Sequence, residues 1–334
     1  MKAIQKVMGI IYAVSGMSLF TVSYASSAAN VHETPTIKTI DRWVQEVSNW
    51  GRWGDADESG TLNLITPEKR VAAARLVTAG ISVSLGHNAM TEKTVDNNSP
   101  YEHSMITLNL PGAENSRFDS IKVESHGSAH THVDALCHQL KAGELYNGYS
   151  ADVITDSGCA KLGIDNLKDG VFTRGILIDV PRLKGVPWLE PGVAIYPEDL
   201  EAWEKQASIR VGAGDVLLVR TGRWARRAAK GPWPMSEGAA GMHPSCAKWL
   251  RERDVAAIGG DFANDVIPSG IEGVLFPLHL LAIYAMGMPI FDNLDLEALS
   301  AEAAKQKRWE FLFSAAPLRI VGGTASPLNP IATF

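Results

Sequence analysis

Hydrophobic positions along this chain alternate between two periods. Ile81, Val83 and Leu85 are interleaved with serine and glycine, the two-residue repeat of a half-buried strand. Gly175-Ile-Leu-Ile-Asp-Val180, Gly214-Asp-Val-Leu-Leu-Val-Arg220 and Val255-Ala-Ala-Ile-Gly-Gly260 are short apolar runs bounded by turn residues, which predicts buried strands. Ile106-Thr-Leu-Asn-Leu110 is a further candidate strand. Helical signals lie between them. Thr66 as N-cap before Pro67 predicts a helix through EKRVAAARLVTA, stopped at Gly80. Pro197 opens another, with Leu200 and Trp203 on its inner face, and a third begins near His243-Pro244 and buries Trp249 and Leu250. Strands alternating with helices predict an α/β, mixed α+β fold. No linker, repeat or low-complexity tract divides it, so one domain is expected over residues 30–334.

Residues 1–29 depart from this pattern. MKAIQK carries two lysines, VMGIIYAVSGMSLF is apolar, and YASSAAN is small-residue-rich, the order of a secretory signal peptide cleaved between Ser27 and Asn30. The alternative is an uncleaved membrane anchor. Cleavage predicts an exported protein, periplasmic or secreted, with no stable membrane insertion after processing. Hydrophobic residues make up 46% of the chain and charged ones 20%, as in a soluble protein with a substantial core. A net charge of −6 and the lack of a Lys/Arg cluster with interleaved aromatics argue against nucleic acid as a partner. Cys137, Cys159 and Cys246 allow one disulfide at most; Cys137 is expected as a small buried apolar residue.

The chemistry concentrates in SHGSAHTHVDALCHQ, Ser125 to Gln139, which holds four of the nine histidines. As an extended chain this stretch turns His126, Ser128, His130, His132 and Asp134 to one side, and a helical turn after Asp134 brings His138 back over it. Imidazole and carboxylate together suit zinc, manganese or iron, and an open coordination position is catalytic in type. His132 and Asp134 are therefore expected as metal ligands, with His130 and His126 as further candidates. No GxGxxG after a strand, GxxxxGK[ST], GxSxG or HExxH is present, so nucleotide binding, a serine-hydrolase elbow and a zincin are not indicated.

His132-Val-Asp134-Ala-Leu-Cys-His138, preceded by Thr131, resembles the H-x-G-T-H-x-D-x-x-x-H signature of the cyclase-like metal-dependent hydrolases, which include bacterial kynurenine formamidases and isatin hydrolases. Trp53-Gly54, Glu58-Ser-Gly-Thr-Leu-Asn63 and Thr66-Pro67-Glu68 look like the N-terminal part of its longer members. Gly175–Asp179, Gly214–Gly222, Ile258–Asp261, His279 and Phe291-Asp-Asn-Leu294 look like its later blocks. The resemblance implies a swivelling β/β/α single domain, assembled as a homodimer or homotetramer. It also implies one or two divalent ions, Zn(2+) or Mn(2+). His132, Asp134, His279 and Asp292 fall on ligand positions, Asp134 bridges where two ions are bound, and His138 falls on the catalytic histidine.

Three positions depart from the signature: Ser128 stands at the first ligand position, His130 replaces a glycine, and Asp292 replaces a glutamate. Serine is a poor ligand for a first-row metal, so His126 or His130 supplies the missing nitrogen, or one ion replaces two. The implied activity is hydrolysis of an amide, lactam or related acyl bond of a small aromatic or cyclic molecule by metal-activated water. Among nine tryptophans, Trp43, Trp50 and Trp53 are those expected to line its pocket. Kynurenine formation is cytoplasmic, so export favours an amide, lactam or lactone outside that pathway. Two other readings stay open: a TIM-barrel amidohydrolase using His130-Thr-His132, and an exported metal-binding or scaffold protein that has lost activity.

Overall fold

The apolar runs around Ile176, Leu217 and Ile258 lie side by side in the computed structural model, as strands Val171–Asp179, Val216–Arg220 and Ala257–Gly260. A fourth strand, Ile290–Asp292, continues this parallel set. The set is fully buried at its centre, so its sequence reads as apolar runs without alternation. Antiparallel strands extend it on both sides. Glu310–Ala315, Ile331–Thr333 and Ser82–Ser84 follow in that order beyond Val171–Asp179. His132–Asp134 and Ala325–Pro327 follow beyond Ile290–Asp292. The sheet thus has nine strands and two open edges among the described residues. Its mixed, open topology excludes the eight-stranded parallel barrel of the TIM-barrel alternative.

The structure describes residues 35–107, 111, 112 and 116–334; all belong to one unit, Thr34–Phe334, while the expected signal peptide lies outside them. No helix among them is long and apolar enough to cross a membrane. The candidate strand at Ile106–Leu110 is displaced: the strand is Glu102–Ile106, paired with Phe118–Lys122 in an exposed hairpin, and Leu108–Leu110 lie outside the described residues. The helix after Thr66 spans Pro67–Ala74 and stops short of Gly80. The amides of Ala79 and Gly80 instead donate to the Phe334 carbonyl at 3.1 and 2.8 Å, tying this segment to the end of the chain.

Ile37–Val47 is a helix that the tryptophan-rich composition of its neighbourhood obscures; Ile40, Val44 and Val47 give it one buried face. That face packs on the π-helix Leu280–Met286 and on the helix Cys246–Glu252. Asn49 reinforces the contact, donating from its amide to the Ala285 carbonyl and from Nδ2 to that of Met286. The result for function is positional. His279, Asp292 and the loop Asp261–Asp265 all collect at the carboxyl ends of the parallel strands, beside His132–Asp134. Open α/β sheets generally bind ligands there.

Candidate metal centre

His132 and Asp134 leave one face of their strand because strand side chains alternate, while Val133 between them is buried on the other. The next residues form a short turn, Leu136–His138, which returns His138 toward Asp134. Its Nε2 lies 3.8 Å from Asp134 Oδ2. The extended face expected upstream of His132 is corrected: residues 126–130 bend, and only His132–Asp134 is strand. Gly127 adopts a φ of +117°, and the loop carbonyls bond to side chains in place of a ladder. Asn293 donates from Nδ2 to the carbonyls of Gly127 and His130, and Arg223 donates to that of Ser128 at 2.6 Å.

This bent loop separates the upstream histidines. His126 turns inward, with Nδ1 3.2 Å from Asp134 Oδ1, and its side chain remains 38% exposed. His130 does not join a ligand group, which corrects its expected role. Its Nε2 lies 3.0 Å from the Ser99 carbonyl and its ring meets Tyr101 edge-on. Trp50 and Trp53 have packing tasks. Trp50 donates its indole N–H to the Tyr284 carbonyl, and Arg52 lies 4.8 Å above the Trp53 ring.

Two groups of three ligands share Asp134: His126, His132 and Asp134, then Asp134, His279 and Asp292. His132 Nε2 is 3.4 Å from Asp134 Oδ1. On the other side, His279 Nε2 lies 3.7 Å from Asp134 Oδ2 and 3.4 Å from Asp292 Oδ2. A tetrahedral ion about 2.1 Å from each ligand separates them by roughly 3.4 Å, so both groups have suitable dimensions. Asp134 supplies the clearest fit. Both of its carboxylate oxygens are buried with no hydrogen-bond partner. A bare buried carboxylate is costly unless a cation meets it. Burial alone would raise its pKa, but the His126, His132, His138 and His279 imidazoles facing it outweigh that and hold it below the ordinary carboxylate range.

Each ligand except Asp134 is oriented by an outer partner. His132 Nδ1 lies 2.8 Å from the His130 carbonyl, which fixes the N–H there and frees Nε2. His279 Nδ1 meets Asp265 Oδ2 at 2.6 Å, and Asn264 donates to Asp292 Oδ1 at 2.8 Å. His126 Nε2 hydrogen-bonds to Thr324 Oγ1 at 3.0 Å. Burial works against a charge on His279, but Asp292 and Asp265 together raise its pKa well above the ordinary value. An entering ion therefore displaces a proton from it. Asn264, Asp265 and Thr324 carry no local signal in the sequence. Asp265→Asn keeps the shape but removes the charge behind His279, and should weaken metal affinity about 10- to 100-fold with the fold retained. Competition against a chromophoric chelator measures this, and unchanged affinity would remove Asp265 from the centre's support.

Cys137, expected as a lone buried residue, is bonded to Cys159, with Cα atoms 6.6 Å apart. Cys246 is a buried free thiol.

A model of the putative cyclase family matches residues 32–264. Among solved structures, the chain is similar to one described as a novel cyclase at 33% identity, over 87% of this chain and 99% of that one, with a TM-score of 0.78. It is also similar in fold to isatin hydrolase A from Labrenzia aggregata, at 20% identity over 78% and 94% of the two chains and a TM-score of 0.55. Isatin hydrolase A from Ralstonia solanacearum gives 21%, 80% and 97%, and 0.55. No curated protein matches.

Proposed function

We infer the function from membership and geometry together: this chain belongs to the putative cyclase family, and we propose that it is a metal-dependent hydrolase. Its substrate is a small aromatic or cyclic molecule, and the bond cleaved is an amide, lactam or related acyl C–N bond. The observation that carries this reading is the pair of ligand groups meeting at the bare, buried carboxylate of Asp134. The donor set of nitrogens and carboxylate oxygens suits Zn(2+) or Mn(2+), in one or two copies. A divalent ion in such a site lowers the pKa of a water to roughly 7 and polarises a carbonyl oxygen.

The residues around it supply the rest. His126, His132, Asp134, His279 and Asp292 hold the cation. His138 stands beside them with its side chain 26% exposed, accessible to a bound molecule. Burial, reinforced by His126 and His279, lowers its pKa to about 4 against the opposing pull of Asp134 and Asp292. It is thus neutral near pH 7, and its imidazole accepts a proton from the attacking water. The water oxygen bonds to the acyl carbon, the C–N bond breaks, and the same proton passes to the leaving nitrogen. An apolar cavity of about 830 Å³, lined by Met235 and Ile267–Leu275, supports an apolar substrate. Its lining residue Leu275 is followed in the chain by Phe276, whose ring lies 5.4 Å from that of His279.

Retention of a ligand nitrogen at His126 argues against the inactive-scaffold alternative that Ser128 raises. The Cys137–Cys159 disulfide supports export, since such bonds persist in oxidising compartments. Exposed Met105, Ile106, Phe118 and Ile121 on the hairpin support a homodimer or homotetramer.

Elemental analysis of protein purified without chelator or affinity tag tests the reading. One or two equivalents of zinc or manganese per chain are expected, with turnover on aromatic amides, lactams or lactones. A chain that holds none, and takes up none on dialysis against either ion, would sink it.

A further inference from the structure

The disulfide lies where three distant segments cross. Cys137 immediately precedes His138, and its amide donates to the Leu162 carbonyl at 3.1 Å. Cys159 donates to the Gly322 carbonyl at 2.8 Å, and Ile164 to that of Gly323, also at 2.8 Å. Thr324 follows directly. Its carbonyl accepts from Ala135, and its hydroxyl holds His126. The crossing is close: a Cβ on Gly158 would sit 2.6 Å from the Gly322 carbonyl oxygen, so only glycine fits there. One covalent bond therefore ties the turn that ends in His138 to Cys159, whose amide in turn holds the Gly322 carbonyl two residues before Thr324.

Both paths meet at His126: Thr324 bonds its Nε2, and His138 stacks on its ring. The rings of His126 and His138 stack at 4.1 Å with 15° between their planes. They face opposite oxygens of Asp134, His126 at Oδ1 and His138 at Oδ2. His138 belongs to a turn of only three residues, and its amide bonds no further away than Ala135. Beyond that turn, the buried Leu136, packed toward Leu280–Met286, and the Cys137 side chain and amide fasten it to the rest of the molecule.

We propose that the Cys137–Cys159 disulfide is a positioning device for the reaction. It fixes the junction from which His138 and the Thr324 support of His126 both arise, and so sets turnover without contributing a ligand. The inference rests on the proposed hydrolase reading for its kinetic consequence but not for its structural one. Cys137 and Cys159 are positioning residues, since neither touches the ligand groups. His132, His279 and Asp292 are oriented by other partners and Asp134 is fixed by its strand, so metal retention is expected to survive opening of the bond.

The test reduces the folded, metal-loaded protein with a phosphine. The disulfide takes two electrons from the phosphine and its S–S bond breaks, while water supplies the oxygen of the phosphine oxide and the proton that each sulfur gains. Metal content, kinetics and histidine-selective 1H–15N spectra are then recorded, before and after reoxidation with oxidised glutathione. Expected is a kcat lower by about tenfold or more, the scale of a small misplacement of a reacting group. KM should stay within about twofold, with unchanged metal and displaced ring signals for His138, all reversed on reoxidation. The double variant Cys137→Ser/Cys159→Ser should match the reduced protein. Reduction verified by thiol titration with unchanged His138 signals and kcat would overturn the proposal. So would parallel loss of metal, secondary structure and activity, which would make the bond a general staple. The spectra need no substrate, so absence of turnover in the oxidised protein counts against the hydrolase reading alone.

Discussion

Asp134→Ala is expected to empty both halves of the centre at once and to lower hydrolysis by about three orders of magnitude, as several kcal/mol of transition-state stabilisation is lost. The reason is that its two oxygens are divided. Oδ1 faces His126 and His132, while Oδ2 faces His138 and His279. No other residue belongs to both ligand groups. The side chain is 1% exposed, so solvent cannot stand in for it. His126→Ala removes one of the first group's two nitrogens and His279→Ala the second group's one, and each should lower metal content less completely. His130→Ala is the control. It carries an imidazole from the same stretch of sequence but faces Ser99, and its variant should keep the wild-type metal content. Elemental analysis of the four variants separates the cases. Retention of a full complement of metal by Asp134→Ala would show that the carboxylate is not the bridge.

The contrast between His130 and His126 shows how far local sequence carries. The alternation that places His132 with Asp134, and the four-residue return that places His138, depend only on backbone geometry and were legible. His130 failed because the two-residue period was extended across Gly127 into a bent loop. That bend depends on Arg223 and Asn293, which lie 95 and 166 residues from the carbonyls they hold. Periodicity contains no information about such pairings. His279 and Asp292 were reached only through the resemblance, and nothing local marked Asp265 or Asn264. Within the fold, the buried parallel strands were legible because each is an apolar run with turn residues at both ends. The order of strands across the sheet was not, since it is decided by contacts between segments far apart in the chain. The helix Ile37–Val47 was missed although Ile40, Val44 and Val47 show its period.

His138→Ala is expected to separate chemistry from metal binding. Hydrolysis should fall by about 10²- to 10⁴-fold, the usual contribution of a positioned acid–base group, while metal content stays at the wild-type value. His138 is not among the ligand groups, yet it stacks on one ligand, His126, and faces the oxygen of another, Asp134. That position suits a proton carrier better than a ligand. Burial with two neighbouring imidazoles pushes its pKa down to about 4, so the ring stays neutral as pH falls from 7 and protonates only near that value. The sign follows directly: a protonated ring cannot accept from water, so wild-type kcat should decline as pH drops through about 4. His138→Ala should lack that decline, and a metal analysis at each pH removes loss of the ion as its cause. Turnover in the wild type that disappears in this variant, with metal retained, also excludes a scaffold that merely stores an ion. Loss of metal in step with activity would instead make His138 a ligand, and the proton would have to travel through another group.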